Sequence, residues 1–322
     1  MSASGVWLSC LAVVSVLAAT LTGCSREDDG GPSGDTVTIQ VGVPPVVDVA
    51  PLYLGRQKGF FAEEKLNVEP RVTTGGNIIP SVVSGDFQFG WVNATSVVIA
   101  RSKGLPLRML RRGVRGGVKP EDSGAGILVK GDGPVAEAKD LEGRTMSVAA
   151  LQSVSTLTAT AALEKRGVDV SKVKFLEVPF PEAVAALTSG RVDSAFVAEP
   201  FLTVGLRAGH RSVSHPISET APNFIIASYF MTEKYLADHG DVVARFDRAV
   251  NKSFDYAAAH PQEARAVLSS FTEIPPAVAE TMLLPDFSAY SDLSTLELTT
   301  ELAKKYGYIT DRPSVSELVY QP

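Results

Sequence analysis

The chain is poor in cysteine, histidine and clustered positive charge. Cys10 and Cys24 are its only cysteines in 322 residues, and the first of its four histidines is His210. Cys10 lies within residues 1–23, an opening stretch with no charged side chain. If that stretch is removed, one thiol remains, which excludes a disulfide, a thiol nucleophile within the body of the chain and a cysteine metal site. His210, His215, His239 and His260 show no metal-ligand spacing with carboxylates, so no metal is expected. Arg108, Arg111, Arg112 and Arg115 are the nearest thing to a basic run in a chain of net charge −6. No stripe of cations with interleaved aromatics accompanies them, which argues against nucleic acid as a partner. A glycine-rich phosphate loop and a G-x-S-x-G elbow are also missing, so neither a cofactor nor catalysis is expected.

Val6 to Leu21 is apolar apart from small hydroxylated residues and Cys10, and it ends in Leu21-Thr22-Gly23-Cys24. A spanning helix needs about 20 apolar residues, so this shorter run fits a secretory segment better. Small residues before a cysteine mark a bacterial lipoprotein signal. The expectation is a signal peptide over 1–23, lipidation at Cys24 and an extracytoplasmic chain anchored to the cell membrane. A diacylglyceryl-cysteine supplies the two acyl chains that stable anchoring requires. The n-region departs from the usual pattern in having no Lys or Arg. Residues 24–35 include SREDDGGPSGD, acidic and without large apolar side chains, and read as a flexible tether.

What the remaining sequence does contain is a duplication. Ser84 to Gly104 (SGDFQFGWVNATSVVIARSKG) and Ser189 to Gly209 (SGRVDSAFVAEPFLTVGLRAG) lie 105 positions apart and align without a gap. Each has a Ser-Gly turn, a short apolar strand, a polar or small tip and a helical stretch ending in Gly. Around them, Thr36–Val43, Asn67–Thr73, Phe87–Val92, Leu107–Gly113, Gly126–Val129, Thr145–Ala149, Lys174–Val178, Val192–Val197 and Asn223–Met231 read as strands. Helical patterns cover Pro51–Lys58, Ile78–Ser84, Thr156–Arg166, Pro181–Ser189, Gly240–Ala259, Pro261–Phe271, Pro275–Leu284 and Ser294–Tyr306. Alternation of strand and helix predicts parallel α/β modules. The expected organisation is α/β and bilobal, with one lobe of 36–125 plus 221–322 and a second, 126–220, inserted into it. Two connections between lobes make a hinge, and a hinged cleft closes on small ligands.

Ala50–Glu69 (APLYLGRQKGFFAEEKLNVE), with its apolar helix start, K-G-F-F turn and acidic pair, resembles the binding proteins of nitrate, sulfonate, taurine and thiamine-pyrimidine ABC importers, the SsuA/THI5-like or NMT1 type. SGDFQFGWVNATSVVIARSKGLPL, Asp140–Ser147 and Gly190–Phe201 resemble later blocks of that family. The resemblance implies a type II periplasmic-binding-protein fold, no catalysis, and delivery of a ligand to the transmembrane subunits of a permease by a monomer.

In open α/β sheets, ligands sit at the carboxyl ends of strands. Those tips hold Asp48, then Gly76 and Asn77, then Asn93, Thr95 and Ser96, in the first lobe. In the second they hold Gln152, Ser153, Ser155 and Thr156, then Phe180, then Glu199 and Phe201. Hydroxyls and free N–H groups at a helix start can hold an anion, although for any single one of them plain N-capping is the better explanation. The tips carry carboxylates but no Lys or Arg, and an unpaired buried carboxylate repels a bare anion. That favours a zwitterion such as a taurine-like aminosulfonate, or an amino-heterocycle such as a thiamine-type pyrimidine, over nitrate or plain sulfonates. Trp91, Tyr53, Phe180 and Phe201 are candidates to stack on a ring. The alternatives are an enzyme of thiamine-pyrimidine synthesis, whose histidine and cysteine cluster has no counterpart here, and a ligand-sensing module.

Overall fold

Val37–Val43, strand β1, alternates its side chains and leaves Ile39, Val41 and Val43 fully buried in the centre of a sheet. A computed structural model describes residues 36–73, 75–287 and 292–322. The opening stretch with Cys24, Thr74 of the second tip and residues 288–291 lie outside the described residues. The strands that follow β1 are β2 (Leu66–Val72), β3 (Phe89–Asn93), β4 (Leu107–Arg115), β5 (Ala125–Val129), β6 (Thr145–Val148), β7 (Lys174–Glu177), β8 (Ser194–Ala198), β9 (Arg211–Ser214) and β10 (Ile225–Thr232).

They form two five-stranded sheets, ordered β2-β1-β3-β10-β4 and β7-β6-β8-β5-β9. The two orders are the same pattern. In each, the first three strands are parallel, the fourth runs antiparallel to the third, and the fifth antiparallel to the fourth. The alternating βα pattern accounts for the parallel half. The antiparallel half depends on where the chain leaves each sheet, and β9 (Arg-Ser-Val-Ser) is too short and polar an edge strand to announce itself. The chain passes from the first sheet to the second between β4 and β5 and returns between β9 and β10.

The sequence duplication reappears in the backbone. Gly85 and Gly190 adopt φ of 90° and 79°, and Gly104 and Gly209 adopt 88° and 87°, at equivalent places before and after the two strand–helix units. An L side chain there would bring Cβ against a carbonyl oxygen, which is why both copies keep glycine.

Three cores hold these layers. On one face of the first sheet, the helix Gly240–Ala259 buries Val243, Phe246, Val250, Phe254 and Ala257, one stripe at helical spacing, against the helix Ala50–Gln57 and the strands. Each such large side chain contributes about 1.5–3 kcal/mol when removed from water. Gly55 permits the close approach, since a Cβ there would lie 1.9 Å from the Ser253 hydroxyl. A second core crosses between the sheets. Val97 and Val98 from the helix Ala94–Ser102, Leu157 and Leu163 from Val154–Lys165, and Leu296 and Ala303 from Ser294–Lys305 join Ile127 and Phe196 in one cluster. Glu164 fastens the same junction, accepting hydrogen bonds from Lys305 Nζ at 2.6 Å and the Tyr306 hydroxyl at 2.8 Å. The third core, including Leu128, Leu187 and Leu202, lies under the helices Phe180–Ser189 and Phe201–Arg207 on the second sheet. Among the described residues no helix is long and apolar enough to cross a membrane.

Candidate functional site

Each parallel strand delivers a short turn and then a helix, so the residues singled out by sequence fall where strands end. Asp48 sits in a single 3-10 turn, Val47–Val49, between β1 and the helix Ala50–Gln57. Val47 and Val49 on either side are buried, and Asp48 itself is half-buried between them. Burial lifts its pKa from 3.8 to about 7, opposed only by a hydrogen bond from its own backbone N–H. No cation is paired with it among the described residues. Gly76 and Asn77 lie exposed in the first turn of the helix Gly75–Ser84.

Asn93 ends β3 and caps the next helix: its Oδ1 accepts from Ser96 N at 2.9 Å and Ser96 Oγ at 3.1 Å. Two of the expected contact residues are therefore already bonded to one another. Thr95 beside them is fully buried, and its hydroxyl has no partner among the described residues.

In the second sheet, Ser153 and Thr156 form a capping box at the start of Val154–Lys165, with Ser153 N donating to Thr156 Oγ1 at 3.0 Å. Ser153 Oγ donates to the Ala150 carbonyl at 2.7 Å and lies 2.7 Å from Ser155 Oγ. All three are buried, while Gln152 is exposed in a left-handed conformation with φ of 53°. Phe180 and Phe201 open two helices with their rings 6.3 Å apart, both half-buried.

Glu199 follows β8, joined to Pro200 by a cis peptide bond, and is only 7% exposed. Its carboxylate accepts from Thr203 N at 3.1 Å, Thr203 Oγ1 at 2.9 Å and Leu283 N at 3.1 Å. Burial raises its pKa, while these hydrogen bonds and the nearby Arg265 act in the opposite direction. Leu283 belongs to the C-terminal part of the chain, so Glu199 ties a tip of the second sheet to a segment that packs on the first. Arg207 repeats the tie, donating to the Ala277 carbonyl at 2.9 Å and Thr281 Oγ1 at 2.7 Å.

Arg115, at the end of β4, is the cation that would change the charge of this region if it stood alone. Its Nη2 donates to Asp286 Oδ2 at 2.5 Å, so a carboxylate already balances it. Trp91 and Tyr53 are buried among aromatic neighbours: Trp91 meets Tyr229 edge-on at 4.7 Å, and Tyr53 stacks on Phe271 at 3.9 Å. Tyr229 went unnoticed in the sequence because it lies inside the apolar strand NFIIASYFM, where an aromatic residue reads as core. No group of histidine, cysteine, aspartate and glutamate side chains among the described residues could hold a metal ion.

Comparison with known proteins places this geometry. Residues 46–264 match the family model described as NMT1/THI5 like. The formylaminopyrimidine-binding protein of Halalkalibacterium halodurans is 24% identical over 265 residues, covering 81% of this chain and 77% of that protein. The riboflavin-binding protein RibY of Chloroflexus aurantiacus is 23% identical over 236 residues, 72% of this chain and 65% of that protein. Among solved structures, the alkanesulfonate-binding protein SsuA from Xanthomonas axonopodis pv. citri, bound to MOPS, superposes with a TM-score of 0.74 at 16% identity, covering 90% of this chain and all of that one. At that identity the superposition speaks for the fold alone: two α/β lobes of the periplasmic-binding-protein type. With the family model spanning more than half of the sequence, the chain belongs to the NMT1/THI5-like family.

Proposed function

We propose that this chain is the solute-binding receptor of an ABC importer, taking up a small ligand between lobes made of residues 36–125 with 221–322 and of 126–220. The observation that carries the ligand assignment is Asp48, a carboxyl lodged between buried valines with its own amide as its only hydrogen-bond partner among the described residues. A bare anion brought against it would meet an unbalanced negative charge, whereas an amine or ring N–H would satisfy it. Arg115 does not alter that balance, because Asp286 neutralises it. The best-fitting ligand is therefore an amino-heterocycle, with an aminosulfonate zwitterion second. That two relatives are named for a formylaminopyrimidine and a flavin is in keeping with a heteroaromatic ligand.

On this reading Asp48 takes the N–H, and Thr95, with its unpartnered hydroxyl, supplies a further polar contact. The Ser153, Ser155 and Thr156 hydroxyls stand at the opposing helix start, with Gln152, Asn93, Ser96, Gly76 and Asn77 at the rim. Phe180 and Phe201 offer apolar surface. Glu199, whose oxygens accept from Thr203 and Leu283, lines the site while holding the lobes together. The chain performs no chemistry on its ligand, acts as a monomer outside the cytoplasm on a lipid anchor at Cys24, and passes the ligand to permease subunits.

Titration calorimetry of residues 35–322 against aminopyrimidines, flavins, taurine, alkanesulfonates and nitrate tests this. Saturable binding of an amine-bearing ring, weakened at least tenfold in Asp48→Asn, is the expected result. Binding confined to nitrate or simple sulfonates would overturn the carboxylate argument, and turnover of any ligand would overturn the receptor reading.

A further inference from the structure

Tyr229 is the most deeply buried polar group near Asp48 that the fold leaves unused. Its side chain is completely removed from solvent, and its hydroxyl has no hydrogen-bond partner among the described residues. The ring is held rigidly, edge-on to Trp91 at 4.7 Å, to Phe246 at 5.6 Å and to Phe254 at 6.4 Å. A phenol so placed forgoes a hydrogen bond that a phenylalanine would never need, and leaving a buried polar group unpaired costs about 1–3 kcal/mol. Native proteins pair the great majority of such groups, so an exception asks for an explanation.

The neighbourhood supplies one. Tyr229 shares a core cluster with Val47 and Val49, which bracket Asp48, and with Tyr53 from the following helix. Asp48 and Tyr53 are close enough for their charges to push the ionisation of Tyr229 further up, on top of the larger effect of burial. The phenol therefore stays protonated and can serve as a donor, since a phenol has one O–H to give. Asp48, once ionised, can only accept. A donor and an acceptor gathered around one core, near enough to feel each other's charge, complement a group that offers an acceptor beside a donor.

We propose that Tyr229 is a specificity-determining residue of the ligand site, donating its hydroxyl proton to a ring nitrogen while Asp48 accepts from the adjacent amine. The pair reads the amidine-like edge of an amino-heterocycle, an N–H next to an imine nitrogen, and rejects rings that lack either half. This deepens the receptor reading above and rests on it. A site built to hydrogen-bond a polar edge discriminates strongly against the analogue without it, because its own buried groups are then left unpaired.

The test is a cycle of one substitution and one ligand change, read by calorimetry on residues 35–322. The ligands are 4-amino-2-methylpyrimidine and its counterpart with ring nitrogens replaced by carbon, 3-methylaniline. Tyr229→Phe keeps the ring and its packing, and its melting temperature establishes that it folds. The expected result is a 3- to 10-fold loss of affinity for the pyrimidine, with little change for the aniline, which the wild type already binds more weakly. Equal affinity of wild type and Tyr229→Phe for the pyrimidine would overturn the assignment and leave the hydroxyl to a buried water. An equal loss for both ligands would assign Tyr229 to packing and overturn it too. A wild-type chain that binds neither ring fails one step earlier, at the amino-heterocycle reading itself, and takes this assignment with it.

Discussion

Replacing Asp48 by asparagine should make the unliganded protein more stable at neutral and alkaline pH. In the folded chain, burial moves the carboxyl from 3.8 to about 7. Below about pH 4 the group is protonated whether the chain is folded or not, and it imposes no penalty. Between about pH 4 and 7 the unfolded chain has released its proton while the folded chain still holds it, so stability falls as pH rises. Above about pH 7 both states are ionised and the loss is complete. A shift of about three pH units at about 1.4 kcal/mol each amounts to about 4 kcal/mol, of which about 3 kcal/mol accrues between pH 5 and pH 8. Asparagine has nearly the same shape and no proton to lose. Urea denaturation of residues 35–322 and of Asp48→Asn, from pH 5 to pH 8.5, measures the difference directly, and titrations elsewhere in the chain cancel in the comparison. Asp48→Asn should gain about 2–3 kcal/mol on the wild type across that range. Parallel stability curves for the two proteins would refute the claim that the carboxyl is desolvated, and with it the charge argument for the ligand. A saturating amine-bearing ligand should erase most of the difference, because it supplies the partner that Asp48 otherwise lacks.

Other perturbations probe the scaffold. Gly55→Ala would set a methyl 1.9 Å from the Ser253 hydroxyl between two packed helices, and should cost about 1–3 kcal/mol by chemical denaturation, with partial recovery in the double variant carrying Ser253→Ala. Glu199→Ala leaves Leu283 N and both Thr203 donors without their acceptor and should destabilise by about 1–3 kcal/mol, whereas Glu199→Gln, which keeps one carbonyl oxygen, should lose clearly less. Gly190→Ala forces an L residue to φ of 79°, with the end of the flexible Lys130 side chain 3.3 Å from the new methyl and free to move aside, so the cost should be mainly the backbone strain, about 1–2 kcal/mol in thermal unfolding.

Much of the architecture was legible in the sequence because it rests on local rules. The strand β1 announces itself by β-branched alternation, and the helix Gly240–Ala259 has the bounds its apolar stripe predicts. The 105-residue offset survives as matching glycine conformations at Gly85 with Gly190 and Gly104 with Gly209, and as two sheets with one strand order. The chemistry of a site is less local. Asn93, Ser153 and Thr156 were named for hydroxyl and amide groups at helix starts, and each of them caps its own helix, as such residues commonly do.

What the sequence determined by itself is the set of elements, their alternation and their duplication, since these follow from side-chain period and backbone preference within a few residues. What only the tertiary structure decided is which polar groups end without partners. Glu199 and Asp48 look alike as lone acids at strand ends, yet one is engaged by Thr203 and Leu283, the latter 84 positions away, and the other rests between buried valines. Tyr229 reads as one more core aromatic until Trp91, Phe246 and Phe254 close around it and leave its hydroxyl unanswered. Burial and pairing are properties of the whole chain folded on itself, because the atoms that remove water from a group, or answer it, come from segments far away in sequence.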